Sequence, residues 1–346
     1  MAKSLAVKYR PKIFEDVLGQ GAVKVILRQQ LESSNIHSAM LFCGPSGDGK
    51  TTTARIFANE LNKGQGVPIE MDAASHNGVD DVREIIRMAS TRAVDAEYKV
   101  IIVDECHMIT PQGWAAFLKC IEEPPAKVVF IFCTTDPQKI PATILSRVQR
   151  FQFQKVSTQD IADRLDYILS KEMEEYATAD RDAVDFIAKL ADGGVRLGIQ
   201  YLEKCLSYNK DLTVENVVAA LNVTNYNDYI GITNLLRDTS DRASLISRLD
   251  EIYASGVDFK QFLKQYIAFI LDVNKTLILD DLDDAFNYIN LPRTKEVEKW
   301  LSAIMKQDSL DFYNRLLSHL VKLDADVKYS QSVKIDIECG FLLFEV

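Results

Sequence analysis

What the chain lacks narrows its class before any motif is read. No apolar run approaches the ~18 residues that a membrane-spanning helix needs. The N-terminal stretch MAKSLAVKYRPKIFEDV has no apolar core of the kind a secretory signal carries, so the chain reads as cytosolic. No two of its cysteines (Cys43, Cys106, Cys120, Cys133, Cys205 and Cys339) stand at CxxC spacing. Most lie in or beside apolar runs, where a free thiol acts as a small hydrophobe. The set therefore reads as reduced and structural, not as a disulfide framework or a zinc site. An excess of positive charge is missing too: the net charge is −10, which argues against nucleic acid as a partner of the whole surface. The deficit is local, however. Residues 1–155 carry a net +2 and the remainder −12, so the acidity belongs to the second half and the first half has the charge for a local basic surface. Internal repeats and low-complexity linkers are absent, which predicts parts packed against one another.

What is present is the composition of a soluble globular protein, 47% hydrophobic and 26% charged over 346 residues, enough for two or three domains. The first 155 residues alternate short strands with helices, the pattern of a parallel sheet covered on both faces. AMLFC (39–43) reads as a buried strand, followed by a glycine loop and a helix over 51–61. VPIEMDA, KVIIVDE and KVVFIFCTT read as three more strands. In TPQGWAAFLKCIEEPP, Thr110 can cap a helix that has Pro111 in its first turn and Pro124 as its stop. Trp114, Phe117, Leu118 and Ile121 of that helix recur at core-facing spacing. From about 156 the strand signal disappears. Ser157 and Asp160 form a capping box before Ile161, Leu165 and Ile168, and Gly193–Gly194 stop a later helix. After about 224 the chain stays helical.

Gly44–Pro45–Ser46–Gly47–Asp48–Gly49–Lys50–Thr51 fits GxxxxGK[ST] between a strand and a helix. Glycines let such a loop turn its backbone N–H groups inward around a phosphate, and the helix that follows adds its positive end. Lys50 supplies a charge to the β/γ-phosphates, and the Thr51 hydroxyl can ligate Mg²⁺. Asp104 and Glu105 end the apolar strand VIIVDE. Asp104 is placed to orient a metal-bound water, and Glu105 to act as general base towards the water attacking the γ-phosphate. After the next strand, Thr134 or Thr135 would lie beside that phosphate; strand alternation leaves the choice open, and Thr135 is favoured. Arg147 and Arg150 occur in ILSRVQRF. An arginine reaching a neighbouring subunit's γ-phosphate would neutralise transition-state charge. Arg196 falls in the first turn of a helix, an unfavourable place for a cation unless a phosphate is near.

In order and spacing, the series KYRPKIFEDVLGQ, GPSGDGKTT, EMDAASHNGVDDVREI, KVIIVDECHMIT, WAAFLKCIEEPP, TTDPQKIPATILSR and GGVRLGIQ resembles the clamp-loader AAA+ ATPases. It resembles above all the gamma/tau subunit of bacterial DNA polymerase III, and it is also similar to the replication factor C small subunits. The motifs cover residues 1 to about 220; beyond them only helical character and position agree. The resemblance implies an α/β RecA-like AAA+ domain over 1–155, a small helical lid over 156–223 and an all-α collar over 224–346. It further implies a pentameric ring of this chain with one or two other loader subunits, with ATP and Mg²⁺ as cofactors. ATP binding would open a sliding clamp and engage primer–template DNA through its backbone, and hydrolysis would release the closed clamp during replication, at the nucleoid in the cytoplasm. By the same resemblance Gly44, Pro45, Ser46, Gly47, Asp48, Gly49, Lys50, Thr51 and Thr52 hold the phosphates. Asp104 and Glu105 are the Walker B pair, and Thr135 is the sensor. Arg147 acts in trans, Arg196 is the lid arginine, and Ala6, Val7, Tyr9, Arg10, Pro11, Val17 and Gln20 wall the adenine.

Two departures from the family pattern matter. The Ser-Arg-Cys motif is here Ser146–Arg147–Val148, which leaves the charge carrier in place. The four-cysteine zinc module that gamma/tau subunits carry after the phosphate-loop helix is replaced by NKGQGVPIEMDAAS, so no zinc is expected. The chain is expected to be a compact version without a basic C-terminal tail. Candidates for tracking DNA phosphates are His76, Asn77, Arg83, Arg87, Arg92 and Lys119. Other classes fit less well. DECH suits a DExH helicase, but the helical second half offers no second RecA-like half. A branch-migration motor would end in a winged helix with strands. A loader subunit that holds the ring without turnover would not need Lys50, Thr51, Asp104 and Glu105 together.

Overall fold

The structure is a computed structural model and describes residues 3–91, 95–172, 178–221, 226–238, 241–254, 256–307 and 310–344. The expected α/β domain is present. Its strands are β1 (Ala39–Cys43), β2 (Ile69–Asp72), β3 (Lys99–Asp104), β4 (Val128–Thr134) and β5 (Gln149–Gln152), all parallel and in the order β2-β3-β4-β1-β5. The apolar runs expected to be strands are β1 to β4. β5 was not expected, and it pairs with β1 from Met40↔Gln149 to Cys43↔Gln152.

Strand alternation builds two cores. On one face Leu41, Ile101, Val103, Phe130 and Phe132 pack with Val82, Trp114, Phe117 and Ile121 from the helices Val79–Ala89 and Pro111–Glu122. On the other, Met40, Phe42, Ile102 and Ile131 pack with Leu27, Ala54 and Phe57 from the helices Gly21–Ser33 and Lys50–Leu61. A parallel sheet buried on both faces needs continuous apolar strands, and every residue of β1 and β4 is buried. Thr110 caps its helix as expected, its hydroxyl accepting from Gly113 N at 3.2 Å. Ser157 and Asp160 are joined at the start of the helix Thr158–Glu172, where Asp160 N donates to Ser157 Oγ at 3.1 Å. On that helix Ile161, Leu165 and Ile168 are buried.

The contact pattern divides the chain into two compact units, one of Met1–Lys171 with Ala191–Glu203, the other of Glu172–Leu190 with Lys204–Val346. The residues expected to form a lid are thus shared between the two units. The 223/224 boundary lies outside the described residues. The second unit is helical, with one correction: strands do not vanish after 156, because β6 (Thr178–Ala179) and β7 (Asp211–Leu212) pair in parallel. Two residues each are too few to leave a periodic signal. The centre of this unit is the helix Phe259–Leu279, capped by Asp258, whose carboxylate accepts from Lys260 N at 2.8 Å and Gln261 N at 3.1 Å. Phe262, Tyr266 and Phe269 line its buried face with Tyr229 and Phe341. Burial raises the Tyr266 phenol, whose oxygen lies 2.9 Å from Thr233 Oγ1 in the apolar interior.

Candidate functional site

The loop after β1 and the carboxyl end of β3 meet at one cavity of about 260 Å³, the place where parallel α/β sheets take ligands. The loop leaving β1 runs into the helix Lys50–Leu61. Gly49, at φ 96°, supplies the left-handed turn that starts this helix, a conformation in which a side chain would be strained. Lys50 is buried inside the loop it ends: Nζ donates to Gly44 O at 2.8 Å, Pro45 O at 2.5 Å and Asp48 Oδ1 at 3.0 Å. Ser46 through Thr52 line the cavity, while Gly44 and Pro45 take part through these carbonyls. The Asp48 side chain is itself an anion, so only its backbone N–H suits a phosphate. Burial pushes its carboxyl up, opposed chiefly by Lys50.

Thr51 Oγ1 donates to Asp104 Oδ2 at 2.8 Å, which joins the phosphate-loop hydroxyl to the carboxylate at the end of β3. A hydroxyl and a carboxylate meeting at the rim of a phosphate loop are the donors a Mg²⁺–phosphate complex uses, and they fit that ion. Glu105 follows in a left-handed conformation, φ 46°, and lines the cavity. Its Oε2 accepts from Thr135 Oγ1 at 3.1 Å and lies 3.3 Å from His107 Nδ1. That nitrogen also lies 3.2 Å from Thr134 Oγ1. Thr134 is fully buried, and Thr135 is the one that touches Glu105. Burial raises the nearby thiols Cys106 and Cys133 well above the ordinary range, which disfavours their thiolates.

The helix Val195–Tyr208 begins against the loop. A side chain at Gly47 would lie 3.4 Å from Gly194 Cα and 3.6 Å from Arg196 Cβ, and Arg196 lines the cavity. Of the expected adenine wall, Ala6, Tyr9, Arg10, Pro11 and Val17 line the cavity. Val7 faces solvent. Gln20 is spent elsewhere: its amide donates to Gln154 O at 2.7 Å and accepts from Gln154 N at 3.0 Å, tying the chain after β5. The sequence reading missed Asp16, Leu18, Arg55, Arg164, Val195 and Ile199 in the lining. Asp16, Leu18, Val195 and Ile199 fall inside motifs already singled out. Arg164 had no local signal; its helix carries Nη2 to Tyr9 O at 2.8 Å.

Arg147 is not at this chain's cavity. It stands exposed, held by Glu122 Oε1 at 2.7 Å, Thr143 O at 2.8 Å and Ser146 Oγ at 3.0 Å. Three of the six candidate DNA contacts have acids beside them. Arg83 pairs with Asp80 at 3.0 Å, Arg87 with Glu84 at 3.8 Å, and His76 lies 3.6 Å from Asp81. Asn77 O accepts from Thr110 N, and Lys119 is exposed on the helix Pro111–Glu122. Arg92 lies outside the described residues.

The family described as DNA polymerase III, delta subunit, matches residues 67–157. The DNA polymerase III subunit tau of Bacillus subtilis is 31% identical over 331 residues, covering 89% of this chain and 58% of the relative. The gamma/tau subunit of Mycoplasma genitalium is 32% identical over 289 residues, 77% of this chain and 48% of the relative. The chain thus spans about half the length of these two relatives. Among solved structures, the Thermotoga maritima RuvB Holliday junction branch migration motor superposes with a TM-score of 0.51 at 18% identity, over 72% of this chain and 86% of that one. That likeness speaks to fold alone.

Proposed function

The chain belongs to the clamp-loader AAA+ ATPases, and from that premise we propose that it is an ATPase subunit of a sliding-clamp loader in DNA replication. The observation that carries the reading is the convergence of Lys50, Thr51, Asp104, Glu105 and Arg196 on one cavity at the ends of β1 and β3. Loop N–H groups and Lys50 take the β- and γ-phosphates. Thr51 would ligate Mg²⁺ and Asp104 would orient a water on it, and the bound ion would neutralise phosphate charge. Glu105 accepts the proton of the attacking water, with Thr135 steadying its carboxylate. The apolar side chains of Val17, Leu18 and Ile199 suit a base. Arg147 completes the site of a neighbouring copy.

In this reading residues 1–155 are the catalytic domain, 156–223 a lid and 224–346 a collar that holds a pentamer of this chain and partner loader subunits. ATP binding lets the ring open a clamp and surround primer–template DNA, and hydrolysis releases the closed clamp. The chain acts in the cytoplasm without zinc; among the described residues no helix is long and apolar enough to cross a membrane. The paired arginines of the helix Val79–Ala89 favour backbone contact by a minority of the candidate cations. With all partner subunits supplied, ATP turnover should rise when clamp and primed DNA are both present. A turnover that ignores both removes the loader function while leaving the ATPase in place.

A further inference from the structure

The phosphate loop carries an anion of its own. Asp48 is 2% exposed, two residues before Lys50, and its Oδ1 accepts from Lys50 Nζ at 3.0 Å. Its Oδ2 is enclosed and, among the described residues, has no hydrogen-bond partner. That oxygen lies over Gly44, where a Cβ would collide with it and meet the Phe153 carbonyl at 2.6 Å. The carboxylate is therefore held between the first glycine of the loop and the lysine. A buried carboxylate with one oxygen unpaired is costly, and burial accordingly raises the Asp48 carboxyl. Lys50 is its counter-ion.

Phosphate binding by a loop of this kind uses backbone N–H groups and the lysine, and it has no use for a carboxylate. A phosphate approaching Lys50 meets a charge already satisfied by two carbonyls and one carboxylate. If the ammonium turns to the phosphate, the Asp48 carboxylate loses its counter-ion inside a poorly solvated loop. If it does not, two anions share one cation at short range. Either way the like charge disfavours the bound state.

We propose that Asp48 competes with the nucleotide's phosphates for Lys50 and so sets a weak grip on both ATP and ADP. The inference rests on the nucleotide-binding reading of the cavity. Removing the charge while keeping the shape should relieve the competition.

The test titrates the full chain with N-methylanthraniloyl-ADP and with a non-hydrolysable ATP analogue, with Lys50→Ala as control and thermal melting to check folding. Asp48→Asn should bind both nucleotides about tenfold more tightly, a gain of about 1.4 kcal/mol. Asp48→Ser, which removes the charge by truncation, should tighten binding in the same direction, and it decides the matter if the first variant melts early. Nucleotide affinity equal to or weaker than wild type in a folded charge-free variant overturns the inference. Failure of the wild-type chain to bind nucleotide, or binding indifferent to Lys50→Ala, overturns instead the reading on which it rests.

Discussion

Glu105 sits at φ 46°, a conformation a residue with a side chain adopts only at a cost. The turn swings its carboxylate out of line with β3, to Thr135 Oγ1 at 3.1 Å and His107 Nδ1 at 3.3 Å. A base held by two polar groups loses little freedom when it takes a proton, and its position is fixed by side chains rather than by chance. Glu105→Gln keeps the shape and the hydrogen bond from Thr135 but cannot accept a proton. It should leave nucleotide affinity near wild type and lower turnover by about 10²–10⁴, the usual worth of a general base. Equilibrium nucleotide titration beside phosphate-release kinetics checks both halves. Unchanged turnover would assign the base to another group. At this scale the sequence told much: Lys50, Thr51, Asp104, Glu105 and Arg196 all reach the cavity. His107 was visible only as the last letter of DECH, because its use depends on β4 delivering Thr134 beside it. Gln20 and Arg164 were misjudged or missed for the same reason, since each finds its partner more than a hundred residues away.

At the scale of elements, the helix Pro111–Glu122 shows why most of the α/β unit was readable. A capping hydroxyl, a proline in the first turn, a proline stop and an apolar set at i, i+3 and i+7 all favour one helix, and all are local. Trp114, Phe117 and Ile121 then insert against Phe130 and Phe132 of β4. β1, β3 and β4 were legible because strands buried on both faces are apolar almost throughout, whereas β2 buries only Met71 fully. β5 was not, because QRFQ buries only Phe151 and borrows its regularity from β1. β6 and β7 are two residues long and have no pattern at all. The cap is testable. Thr110→Ala removes the acceptor for Gly113 N and should destabilise the α/β unit by about 1 kcal/mol, while Thr110→Ser keeps the acceptor and most of the stability. Urea unfolding monitored by Trp114 fluorescence, in a background with Trp300 replaced by Phe, reads the difference. Equal midpoints for the alanine and serine variants would show that the cap is idle.

At the scale of the whole molecule, the question is whether one chain can complete its own site. Arg147 is exposed, lies outside the cavity lined by Lys50 and Glu105, and is held in place by Glu122, Thr143 and Ser146. Such an arginine is ordered in advance for a partner, which lowers the entropy lost on docking. In a heterologous ring each site would take its loop from one copy and its arginine from the next. Arg147→Ala and Lys50→Ala subunits should each be inactive as pure assemblies, the first for want of the arginine and the second for want of the loop. Mixed, they should regain turnover, because the intact arginine of a Lys50→Ala copy can face the intact loop of an Arg147→Ala copy. With random placement at equal amounts, about one quarter of the interfaces are competent, and activity falls towards zero as either variant dominates. If Arg147 acted within its own chain, no copy in the mixture would hold both groups and no ratio would restore activity. ATP turnover across a mixing series, with assembly followed by light scattering, therefore separates a shared site from a self-contained one.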